Sequence, residues 1–166
     1  MVDATFALNL VETVGILVGV TIAVIEIRKS REERRNQFSL EYIQYSGSQE
    51  LWEHWISILN NMDFSTYEEW QEKYGPRTNP EVAKHWYSFT FYHDTLGNRI
   101  LNGQIDLESV LLYLQPYGAI LVYKKSLPIF EAWRELYNLP KIMGGYEFLV
   151  NKLKKRHPNV TIETNP

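Results

Sequence analysis

The run from Phe6 to Ile27, FALNLVETVGILVGVTIAVIEI, contains no Lys or Arg. A helix of that length spans about 33 Å at about 1.5 Å per residue, enough to cross a hydrocarbon core. Asn9, Glu12 and Glu26 interrupt it, and the stretch Thr13–Ile25 between the acids is short for a span by itself. A cleaved signal peptide would need a basic start and a small-residue cleavage site. Here the start is Met1-Val2-Asp3, and Arg28-Lys29 follows the apolar run. A buried helix of a soluble domain is the other alternative. The reading adopted is a single transmembrane helix over 1–27.

Charge sets the expected orientation. Arg28, Lys29, Arg31, Arg34 and Arg35 follow the run, with only Glu32 and Glu33 among them. The positive-inside rule then puts the amino terminus outside and everything after Arg28 in the cytoplasm, a single-pass protein of the cell membrane. The basic cluster is expected to touch anionic headgroups. At 100° per residue, Asn9, Glu12, Gly15, Gly19, Ala23 and Glu26 share roughly a 120° arc. Gly15-x-x-x-Gly19-x-x-x-Ala23 permits close approach of another helix. Glu12, at the edge of the hydrocarbon, needs headgroup water, a proton or a partner. The packing face is therefore Asn9, Glu12, Gly15, Gly19 and Ala23.

The remainder reads as helix. The chain has 166 residues, room for one domain with an appendage, and 45% hydrophobic content, enough to bury a core. It has no cysteine, which excludes disulfides and cysteine-based sites and agrees with a reducing compartment. Its net charge of −3 argues against a globally basic nucleic-acid binder. A juxtamembrane basic helix is expected over 28–45, a helical cytoplasmic domain over 46–156 and a polar tail over 157–166.

Within that domain Ser46 and Gln49 suggest a capping box, and Leu51, Trp55, Ile58 or Leu59, and Met62 have helical spacing. Ser65 with Glu68, or Thr66 with Glu69, caps a short helix bearing Tyr67, Trp70 and Tyr74. Asn79-Pro80-Glu81 is a cap, a first-turn proline and an acid at the positive end of a helix. Its stripe is Val82, Trp86, Phe89, His93, Leu96 and Ile100, and Gly103 suits a left-handed stop. Asp106 caps the next helix, over 107–114. A further helix covers 117–137 with a break or kink near Pro128, and Pro140 opens the last one. Ala119–Tyr123 could be a strand by composition but has no second run to pair with. The expected class is all-α, one amino-terminal transmembrane helix continuing into a small helical bundle.

A family resemblance rests on three motifs. They are Tyr67-x-x-Trp70-x-x-x-Tyr74-Gly75-Pro76-x-Thr78-Asn79-Pro80-Glu81, then Leu96-Gly97-x-x-Ile100-x-x-Gly103-x-Ile105-Asp106, then Tyr146-Glu147-Phe148-Leu149 before a Lys/Arg-rich end. With the single span ahead of them, they make the chain resemble a family of small uncharacterised single-span membrane proteins, frequent in archaea, with a helical cytoplasmic domain of unknown function. The likeness runs to about Arg156. It implies an all-helical fold and one membrane crossing, and brings no activity, cofactor or catalytic residue.

Few constellations suggest chemistry. His93-Asp94 invites comparison with metal-dependent phosphohydrolases, which add an earlier histidine and a later aspartate; His54 or His85 and Asp106 would have to serve. Glu50-x-x-x-His54 and Glu81-x-x-x-His85 each put a carboxylate one turn from an imidazole, one residue longer than the spacing of di-metal bundles. No phosphate loop, serine elbow or dinucleotide fingerprint occurs. Gly144-Gly145 is either a close packing point or a flaw in the last helix. The expectation is a membrane-anchored protein–protein interaction module, an accessory or scaffold subunit of a membrane complex. It has no catalytic or metal residues, needs no cofactor, and has as partners the lipid bilayer and another transmembrane helix. The alternatives are a membrane-tethered phosphohydrolase and a membrane-localised RNA binder using Arg28–Arg35 and Lys152–Arg156.

Overall fold

Seven helices follow one another in the computed structural model, which describes residues 4–159, the side chains of 5–7 excepted. They are α1 (Ala4–Ser46), α2 (Gln49–Asn61), α3 (Tyr67–Tyr74), α4 (Pro80–Leu101), α5 (Leu107–Tyr113), α6 (Pro116–Leu136) and α7 (Gly144–Arg156). No strand occurs among the described residues, so the all-α expectation holds. Of the expected tail, residues 160–166 lie outside the described residues, as do Met1, Val2 and Asp3.

The chain divides into two units, Met1–Gln37 and Phe38–Pro166. The first consists of the long apolar and basic part of α1. That helix is long and apolar enough to cross a membrane. Its best window has a mean hydropathy of 2.2, and none of that window is buried.

The second unit is built around α4, which packs against α2 and α7 and touches α3 and α6. Its buried face carries Trp86, Phe89, His93, Leu96 and Ile100 of the stripe read from spacing, with Val82 half-buried and Ala83, Thr90 and Gly97 buried in addition. Trp86 sits at the centre. Its ring lies 5.0 Å from Trp70, 5.5 Å from Trp133 and 5.9 Å from Phe130, and its Nε1–H donates to Ser126 Oγ at 2.8 Å. A buried indole gives apolar area and also needs one acceptor, which Ser126 supplies.

Local chemistry sets the boundaries. Asn79 accepts from the Val82 amide and Asp106 from the Ser109 amide, so both predicted caps are in place. Thr66, not Ser65, caps α3, and Glu69 reaches back to the Ser65 amide at 2.9 Å. Two starts differ from the spacing argument. Ser48 caps α2 through the Leu51 amide, because Ser46 still belongs to α1 and its hydroxyl donates to the Ile43 carbonyl. α7 begins at Gly144, after Met143 at φ 57°, rather than at Pro140. Pro128 lies inside α6, which runs on past it.

The glycine pair is a close packing point. A Cβ on Gly97 would overlap the carbonyl of Gly145, and one on Gly145 would overlap the carbonyl of Asp94. α4 and α7 therefore meet backbone to backbone. Only residues without a side chain allow that approach.

Candidate functional site

Every described side chain from Leu8 to Ile27 is exposed, including Asn9, Glu12, Gly15, Gly19 and Ala23. Among the described residues, and apart from the helix's own backbone, nothing lies within 4 Å of where a Cβ on Gly15 or Gly19 would sit. The two threonines of the stretch turn their hydroxyls inward: Thr13 donates to the Asn9 carbonyl and Thr21 to the Leu17 carbonyl, both at 2.8 Å. A hydroxyl bonded to its own helix presents little polarity outward, which suits a helix in apolar surroundings. Arg28, Lys29, Arg31, Arg34 and Arg35 continue the same helix, all exposed. Lys29 pairs with Glu33 at 3.9 Å, and Arg34 donates to the Ser30 carbonyl at 3.4 Å. At the other end of the chain, the basic run of α7 is partly engaged. Arg156 pairs with Glu108, and Lys152 lies over the Phe148 ring.

The two carboxylate–imidazole motifs converge. His54 Nδ1 and His85 Nδ1 lie 2.8 Å apart across α2 and α4. His54 is buried, and its Nε2 has no hydrogen bond but sits 3.7 Å from a Glu50 oxygen. That carboxylate favours the proton on Nε2, which leaves Nδ1 to accept the proton His85 donates. Burial holds the His54 pKa below its ordinary value, and the facing His85 adds to the effect. Among the described residues, no group of three or more His, Asp or Glu side chains is arranged to hold a metal ion.

His93 and Asp94 take separate structural positions. His93 is buried, donates from Nδ1 to the Phe89 carbonyl at 2.8 Å, and stacks on Tyr146 at 5.0 Å. Burial brings its pKa down to about 4. Asp94 Oδ1 accepts from the Tyr146 amide at 3.1 Å, in the first turn of α7, and Oδ2 accepts from Asn98 at 3.0 Å. The carboxylate thus satisfies an amide that a helix start leaves without a partner.

Two concavities mark the folded unit. One, of ≈ 40 Å³, is lined by Trp52, Trp55, Phe89, His93, Leu114 and Gly118 among others, and is mostly apolar. Close to it in sequence lie Ile56, Leu112, Tyr113 and Tyr117, large apolar side chains left exposed. The second, of ≈ 190 Å³, is lined by residues of the end of α1, of α4 and of the turn after it, with Tyr42 and Arg99 among them. Sequence reasoning missed this cleft. The available signal was Phe38, Tyr42 and Tyr45 at i, i+4 and i+7, an apolar face directly after the basic run.

The family described as Domain of unknown function (DUF4760) matches residues 13–153. The chain belongs to that family. The DUF4760 segment begins within the apolar helix and ends on α7, so it takes in most of the candidate span, the basic cluster and the helical unit together. Asn9 and Glu12 precede it. Searches of the curated proteins and of the solved structures returned no match.

Proposed function

We propose that this DUF4760 chain is a single-pass membrane protein whose helical unit serves as an interaction module, an accessory or scaffold subunit of a membrane complex. The observation that carries the reading is the helix stretch Leu8–Ile27, apolar throughout most of its length and with every side chain exposed. Apolar side chains exposed along a whole helix are stable in lipid or against another protein, and costly in water. The lysines and arginines that follow favour a cytoplasmic helical unit and an outer amino terminus. They stand where anionic headgroups would meet them.

Two features support a partner within the bilayer and one outside it. Gly15, Gly19 and Ala23 share a face with Asn9 and Glu12, so a neighbouring helix could approach closely and meet the polar groups. On the helical unit, Trp52, Ile56, Leu112, Tyr113 and Tyr117 offer apolar surface at exposed positions. Aromatic side chains of this kind carry much of the binding energy of protein interfaces.

Extraction of the full chain in mild detergent, followed by native sizing and mass spectrometry, tests the reading. A self-assembly or a co-purifying membrane protein is expected. A lone monomer at every concentration contradicts it.

A further inference from the structure

The ≈ 190 Å³ cleft contains an unusual arginine. Arg99 is half-buried on α4, and its guanidinium lies over the Phe38 ring, 4.6 Å from the centroid. A cation held over an aromatic face uses none of its N–H groups on a hydrogen-bond acceptor, so they remain available to donate. Among the described residues Arg99 makes no side-chain hydrogen bond and no ion pair, so these donors have no acceptor in the fold.

A second donor borders the same cleft. Tyr42 is 4% exposed, and its phenol, close to that of Tyr92, makes no hydrogen bond of full geometry. The Tyr92 hydroxyl itself is directed to the Tyr42 carbonyl at 3.5 Å. An orphaned buried phenol destabilises a fold, and Phe would serve better there if packing were its only task. Thr95, exposed on the next turn, adds a third hydroxyl. The acid of the lining, Glu41, stands at the exposed rim and has a partner of its own.

We propose that this cleft binds a small anionic oxygen-rich group, a phosphate monoester, with Arg99 and Tyr42 as its donors. An unpaired arginine beside hydroxyl donors favours a planar or tetrahedral oxyanion, because several short charge-assisted bonds form at once. The volume is below that of drug-sized pockets, about 300 Å³ and upward, and suits a single phosphorylated headgroup or a small phosphate ester. The other cavity, of ≈ 40 Å³, is large enough only for a few waters at about 10–15 Å³ each. The terminal phosphate has two sources, a soluble phosphate ion or an anionic lipid headgroup.

The test uses the full chain in nanodiscs of neutral phosphatidylcholine, titrated calorimetrically with inorganic phosphate at low salt. A second arm replaces part of the lipid with phosphatidic acid and reads bound lipid by phosphorus NMR. Saturable binding in the first arm identifies the soluble source, and selective binding in the second alone identifies the headgroup. In either case Arg99→Gln weakens it at least tenfold. Tyr42→Phe weakens it severalfold while the melting temperature stays level or rises. If Arg99→Gln fails to fold, Tyr42→Phe decides alone. Saturation by neither probe, or wild-type affinity in the variants that fold, overturns the proposal. The phosphate arm can be run in plain buffer if the chain proves soluble, so this inference and the membrane reading fail independently.

Discussion

His54 and His85 meet Nδ1 to Nδ1 at 2.8 Å, and the contact joins α2 to α4. It exists because at least one imidazole stays unprotonated on the facing nitrogen. Glu50 and Glu53 from α2 and Lys84 from α4 are the other charges acting on His54. With His93, two buried imidazoles resist protonation in the folded chain. The unfolded chain takes up protons near pH 6.5, whereas His93 does so only near 4. The unfolded state therefore binds more protons in that window, and stability falls as pH falls through it. Above about pH 6.5 the two states hold the same number and nothing is lost. Unfolding free energies from denaturant titrations at pH 7.5 and pH 5 should differ by about 2 kcal/mol from His93, with His54 adding in the same direction. A His93→Gln variant should show a shallower slope. Equal free energies for the wild type would contradict this account.

Trp86 is fully buried, so its truncation to Ala should cost about 3–5 kcal/mol. Ser126→Ala should cost about 1–3 kcal/mol by leaving the indole N–H without its acceptor. Thermal or urea denaturation measures both. A Ser126→Ala variant as stable as the wild type would mean that water replaces the hydroxyl.

Gly97 and Gly145 test the α4–α7 contact. Either residue changed to Ala forces the two backbones apart, since the atoms met are carbonyls and not flexible side chains. A loss of about 3 kcal/mol or more is expected, at the upper end for overpacking. A full stability profile for Gly97→Ala would show that the helices separate at little cost.

Asp94 should prove a helix cap. Asp94→Ala should destabilise by about 1–2 kcal/mol, the ordinary cost of a lost cap. Amide exchange should rise first at Tyr146 and its neighbours in α7. Unchanged exchange there would remove the capping role.

Local chemistry was legible wherever it acted within a few residues. Asn79-Pro80-Glu81, Asp106 and Gly103 each set a boundary through a bond or dihedral of their own. The burial of Trp86, Phe89, Leu96 and Ile100 followed from a period of 3.6. What stayed hidden depends on distant partners. Pro140 looked like a helix start, but α7 waits for Gly144 because Gly145 must meet Gly97. The convergence of Glu50-x-x-x-His54 with Glu81-x-x-x-His85 needs α2 and α4 to lie side by side, which no local pattern states. The Arg99–Phe38 cation–ring contact likewise joins two helices far apart in sequence. Phe38 follows a basic run whose charges mark a membrane surface, and no local pattern marks it as a partner of Arg99.

The reading of Leu8–Ile27 as a bilayer helix is tested most directly by fractionating cells that express the full chain and washing the membranes with alkaline carbonate. The protein should remain in the membrane pellet and leave it only with detergent, while a chain lacking residues 4–27 should appear in the aqueous fraction as a folded helical unit. Recovery of the full chain in the carbonate supernatant, without detergent, would contradict the account.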